Sequence, residues 1–181
     1  FKTILGVLIF TTVSIASTYF YFIPLKIAIA SIYPGLLYTC ATVIVFSIFN
    51  KTTSLLKLIY YMCLMVLTYY VIWVLTIYSS YVAFIVGIFT AGIGSLITFI
   101  LADKFITRIS FNKRNAFIIG GLSFLVTDIL LFSWNSVYDN PPILYIFKLP
   151  YSRDIIYGEA IFFWQFLVGI KLVLLLRKST Q

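Results

Sequence analysis

Among the five acidic residues of this 181-residue chain, Asp128 alone stands deep inside an apolar run. It closes the stretch Gly120-Gly121-Leu122-Ser123-Phe124-Leu125-Val126-Thr127-Asp128, six residues before Trp134. An ionisable group within a bilayer costs about 2.5–3.5 kcal/mol on insertion scales, so it needs a partner or a function. Gln165 lies at a similar depth in the last apolar run, with Glu159 nearer that run's start. Three chemistries suit such a set. Asp128 and Gln165 could satisfy each other as a structural hydrogen bond between helices. Asp128 could instead contact a ligand or donate a proton, because a carboxyl shielded from water keeps its proton. The third chemistry is an ion pathway.

Absent residue types narrow the field further. The chain has no histidine, which removes His-based triads, HExxH zinc sites and haem proximal ligation. No cofactor or metal site is expected. Cys40 and Cys63 fall inside apolar runs and read as two small buried hydrophobes rather than a redox pair.

Hydrophobic residues make up 62% of the chain and charged residues 10%, against roughly 45–50% and about 25% in soluble domains. The mean hydropathy is +1.09. A soluble domain of this size could not hide that much apolar surface. The composition therefore reads as one integral membrane domain over residues 1–181, all-α and polytopic, with membrane lipids as its first partners. In that setting a net charge of +8 points to loops facing anionic lipid and not to nucleic acid.

The positioning elements follow from the apolar runs. These are Ile4 to Phe22, Leu25 to Phe49, Leu58 to Ser79, Tyr81 to Ala102, Ala116 to Trp134 and Tyr157 to Leu176. Each is too long and continuous for a strand of an outer-membrane barrel, so six transmembrane helices are expected. Pro34-Gly35 is expected to break the second run into a short interfacial piece and a main helix. Tyr19 to Phe22, and Trp73, Tyr78 and Tyr81, suit interfacial anchors. Gly87, Ala91 and Ser95, four residues apart, form a small-residue stripe that lets a neighbouring helix approach. The connection from Asn135 to Ile156 is the longest and contains the apolar segment Ile143 to Phe147, suited to a connector or a lid.

With the N-terminus inside, the inner segments hold Lys2, Lys51, Lys57, Lys104, Arg108, Lys113, Arg114, Arg177 and Lys178. The outer ones hold only Lys26, Lys148 and Arg153, while Lys171 snorkels from the inner end of the last helix. Both termini are expected in the cytoplasm of a bacterial inner membrane.

The stretch from Gly120 to Leu131 resembles the G-x-L-x-F-x-x-[ST]-D-x-x-L segment of the YhhN-like lysoplasmalogenase family. Phe162-Phe163-Trp164-Gln165-Phe166-Leu167-Val168 is similar to its final-helix Y-x-A-Q-x-L-I segment, and Pro24-Leu25-Lys26 resembles its K-P-L element. Where the family has F-S-x-x-G-D, this chain has Phe46-Ser47-Ile48-Phe49-Asn50-Lys51. Family members are polytopic membrane enzymes that hydrolyse the vinyl-ether bond of lysoplasmalogens. The resemblance implies a catalytic acid at Asp128 and a helper at Gln165, with Glu159 as the remaining candidate for a second carboxylate. A non-catalytic alternative stands beside it: a membrane subunit or substrate-binding module of a larger transporter or envelope complex, as a homo-oligomer or with a membrane-protein partner.

Reporter fusions test the orientation. Fusions at Lys57, Arg108 and Gln181 should read cytoplasmic and one near Asn140 external. A cytoplasmic reading at Asn140 would overturn the topology.

Overall fold

A computed structural model of the chain describes residues 1–22, 27–49, 53–82, 84–135 and 154–178. The described residues form six helices: α1 (Lys2–Phe22), α2 (Ile27–Ile48), α3 (Leu55–Val82), α4 (Phe84–Phe105), α5 (Lys113–Asn135) and α6 (Asp154–Lys178). No strand occurs among them. The connection expected between Asn135 and Ile156 lies almost wholly outside the described residues, as do Lys26, Lys51, Lys148 and Arg153.

Three helices contain stretches long and apolar enough to cross a membrane: Lys2–Tyr19, Leu55–Ile72 and Ile85–Phe105. The apolar part of α2, Ile32–Ile48, is shorter. Contrary to the break expected at Pro34-Gly35, α2 runs through both residues. The Pro34 carbonyl accepts a side-chain donor from α6, and Gly35 presents bare backbone to the Tyr69 ring, which a Cβ there would meet at 2.9 Å.

Successive helices pack as antiparallel neighbours, and α6 closes the ring against α1 while also touching α2 and α4. The helix ends carry their own stop signals. Asn112 caps α5, its Oδ1 accepting from the backbone N–H of Arg114 at 2.9 Å. Asp103 accepts the Ile109 N–H at 2.7 Å and so folds the link between α4 and α5. Thr53 donates to the Phe105 carbonyl at 3.1 Å, tying the start of α3 to the end of α4.

The small-residue stripe of α4 does receive a neighbour. A Cβ on Gly87 would run into the Phe124 ring, and one on Gly120 would overlap the Ala91 carbonyl and Ser95. Gly169 likewise admits Phe10 of α1. These glycines set how closely α4 meets α5 and how closely α1 meets α6.

Apolar side chains face outward as well as inward, unlike in a water-soluble bundle, and small hydroxyl residues share the interior with the apolar core. Ser14, Ser17, Thr39, Thr42, Ser95, Thr98, Ser123 and Thr127 are buried. Most turn back on their own helix: Ser14 donates to the Phe10 carbonyl, Thr42 to that of Tyr38 and Thr98 to that of Gly94. Meanwhile Leu56, Tyr60, Leu64, Leu67, Val71 and Leu75 form an exposed stripe down α3, with Leu56 63% and Leu67 58% exposed. The expected burial of both cysteines is corrected here: Cys40 is half-buried, Cys63 is exposed, and both are free thiols. Cys63 lies on the outward, apolar side of α3, where hydrophobic character does not imply burial.

The close approach of α4 and α5 predicts that Gly120→Val destabilises the fold by about 1–3 kcal/mol through overpacking. The check is the thermal unfolding midpoint of the detergent-purified protein. A midpoint unchanged from that of the parent would show that the helices can separate at no cost.

Candidate functional site

The centre of the ring is organised by two consecutive residues of α6. Gln165 is fully buried, and its Nε2 donates to the Pro34 carbonyl of α2 at 2.9 Å and to the Tyr69 hydroxyl oxygen of α3 at 3.1 Å. Both amide hydrogens are therefore engaged, while Oε1 is buried with no hydrogen-bond partner among the described residues. Trp164 turns the other way and donates Nε1–H to the Ala91 carbonyl of α4 at 3.0 Å. Neighbours on a helix differ by about 100° in direction, so one dipeptide can tether α6 to three partners.

Aromatic rings pack around this clamp. Trp164 meets Tyr38 at 5.6 Å between centroids and Tyr69 edge-on at 5.8 Å. It joins the large core around Phe10, Tyr38, Phe46, Tyr61 and Phe99 to a smaller one of Tyr69, Ala91, Phe124 and Ile161. Beside Trp164 lies a cavity of about 40 Å³, lined chiefly by Tyr69, Ile72, Gly94, Thr98, Phe124 and Ile161. That space suits a few water molecules at most, and its walls are nearly all apolar.

Asp128 and Glu159 lie on α5 and α6, and their side chains fall outside the described set. Their heights along the bundle still follow from the backbone. Ala91, Gly120 and Trp164 share one level, since the Ala91 carbonyl meets the indole and would collide with a Cβ on Gly120. Asp128 stands eight residues beyond Gly120, about 12 Å along α5, and Glu159 five residues before Trp164, about 7.5 Å along the antiparallel α6. The two carboxylate positions thus lie on the same side of the clamp, within roughly a helical turn in height. Gln165 stands about 13.5 Å, some two and a half turns, from Asp128 along the bundle, so the similar depth read from the sequence, and the pairing of the two residues that rested on it, do not hold.

The pairing of Gln165 with Pro34 and Tyr69 is not visible in the sequence. Among the described residues, no three His, Cys, Asp or Glu side chains gather into a metal-binding group.

The clamp makes a stability prediction. Gln165→Leu should lower stability by about 1–3 kcal/mol, because the leucine cannot donate to either partner. Trp164→Phe, which keeps a ring but lacks Nε1–H, should cost about 0.5–1.5 kcal/mol. Denaturant titrations in detergent provide the measurement, and a parental midpoint in Gln165→Leu would show that the clamp does not hold the ring.

Compared with known proteins, the chain matches no family model, no curated protein and no solved structure.

Proposed function

We propose that this chain is a six-span integral membrane protein that hydrolyses a lysolipid at a site in its outer half. The membrane reading is supported by the many large apolar side chains exposed on the outside of a bundle that already has an apolar core. In water such a surface would drive association; in a bilayer it is ordinary.

The observation that carries the hydrolase reading is the shared height of Asp128 and Glu159 on two packed antiparallel helices. Acid–base hydrolysis needs one group to donate a proton and another to hold water. In this reading Asp128, protonated, transfers its proton to the vinyl carbon of the substrate's enol ether. The oxocarbenium ion that results faces the carboxylate just formed. Water held by Glu159 adds to that cation, losing a proton to the carboxylate, and the hemiacetal collapses to an aldehyde and the glycerol alcohol. Gln165 then positions α6 through its two donor bonds and takes no part in proton transfer. The resemblance of the Gly120 to Leu131 segment to the lysoplasmalogenase pattern supports the same assignment of Asp128.

Two observations favour a second reading, a non-catalytic membrane subunit. The cavity beside Trp164 holds about 40 Å³, and α3 presents a long apolar stripe that a partner helix could cover.

Turnover of a lysoplasmalogen by the purified protein separates the two. Asp128→Asn should abolish aldehyde release, Glu159→Gln should reduce it by about 10²–10⁴-fold, and Lys51→Ala should leave it unchanged. Full activity in Asp128→Asn would overturn the assignment, and an inactive parent protein would favour the subunit reading.

A further inference from the structure

The opposite end of the bundle holds a feature that the hydrolase reading does not use. Between the α4–α5 link, the start of α5 and the end of α6 lies an open concavity of about 550 Å³. Its polar wall is made by Lys113, Lys171 and Lys178 together with Ser110, Asn112 and Asn115. Its floor is apolar, with Phe99, Phe111, Ala116 and Leu175. No carboxylate of the described residues lines it. The nearest acid in sequence, Asp103, is engaged in holding the Ile109 N–H.

Three cations around one concavity repel each other unless something negative sits among them. Lys171 and Lys178 are seven residues apart on α6, two turns, so both rise from the same side of the helix with Leu175 between them. Lys171 is half-buried and lines this space. Lys113 faces them from α5. The first-turn N–H groups of Arg114 and Asn115 already bind Asn112 Oδ1, so side chains and not the helix end would carry the binding. Their donors are ammonium, amide and hydroxyl groups, the set that suits a phosphate oxygen. The apolar floor suits the glycerol and first methylenes of the same molecule.

The geometry points to a binding site for a phosphate ester here, formed by Lys113, Lys171 and Lys178 over Phe111 and Leu175. If the chain is embedded in a bilayer, this end meets the headgroups of one leaflet, and an anionic phospholipid is the source at hand. A soluble phosphate ester shares the chemistry. The site is independent of turnover at Asp128.

The test uses the full chain in lipid nanodiscs, with bound lipid counted by native mass spectrometry. Phosphatidylglycerol should be retained in preference to phosphatidylcholine. Lys171→Gln should weaken that retention about fivefold, and Lys113→Gln with Lys171→Gln about 25-fold, at roughly a factor of five per lysine. Lys171→Arg should keep it, and Lys57→Gln, a basic substitution at the same end but outside the concavity, should not change it. In phosphatidylcholine discs, a Lys171-dependent rise in melting midpoint with sn-glycerol 3-phosphate would identify a soluble occupant of the same site. Equal retention of both lipids with no response to glycerol phosphate would overturn the proposal. So would an equal loss in Lys57→Gln and Lys171→Gln. Should Lys171→Gln fail to give a monodisperse protein, Lys178→Gln replaces it with the same expectation.

Discussion

Three hydrogen bonds from the Trp164-Gln165 dipeptide tie α6 to α2, α3 and α4 across the centre of the ring. A bundle whose outside is as apolar as its inside gains little from hydrophobic burial if lipid surrounds it, so specific polar contacts and close packing must set the arrangement. Gln165 supplies two such contacts to α2 and α3, and Trp164 a third to α4. The acceptors are backbone carbonyls in two of the three cases, positions that a side-chain substitution on the partner helix cannot remove. Gly120 and Gly169 let the flanking helices come near enough for those bonds to form.

Depth along a helix can be counted in a sequence, whereas direction around it cannot. That difference explains what was legible here. The six helices, their order and the packing role of Gly87, Ala91 and Ser95 follow from run length and spacing alone. Gln165 stood out as a costly polar residue, yet its partners come from α2 and α3, residues 34 and 69, which no local pattern connects to it. Pro34 read as a break because a lone proline interrupts the backbone ladder. In the structure α2 runs through it, and its carbonyl separately accepts from Gln165 of α6. Cys63 read as buried because an apolar neighbourhood implies burial in water but not on the outer side of this bundle.

The basic end shows the same limit. Its lysines and arginines were legible as a charge asymmetry, which speaks to orientation. That three of them surround one concavity depends on α5 and α6 packing antiparallel, bringing Lys113 beside Lys171 from 58 positions away. Charge counting cannot separate a scattered set of loop cations from a walled group. The separation is physical, because only the walled group shares one space in which an anion could touch all three.

The clamp also divides the molecule into two chemically distinct halves. Asp128 and Lys113 lie on the same helix, fifteen residues apart, so about 22 Å separates them along its axis. In a lysoplasmalogen the vinyl ether and the phosphate are attached to the same glycerol, only a few bonds from each other. No single such molecule can place its phosphate among Lys113, Lys171 and Lys178 while presenting its enol ether to Asp128. A lipid held at the basic end therefore belongs to a different molecule, and in a bilayer to the opposite leaflet, from any substrate at the carboxylate end. Between them lies the Trp164 level, with about 40 Å³ of mostly apolar space beside the indole. α5 and α6 run through both ends, and the Gly120 and Trp164 contacts with Ala91, on which both helices rest, lie between them.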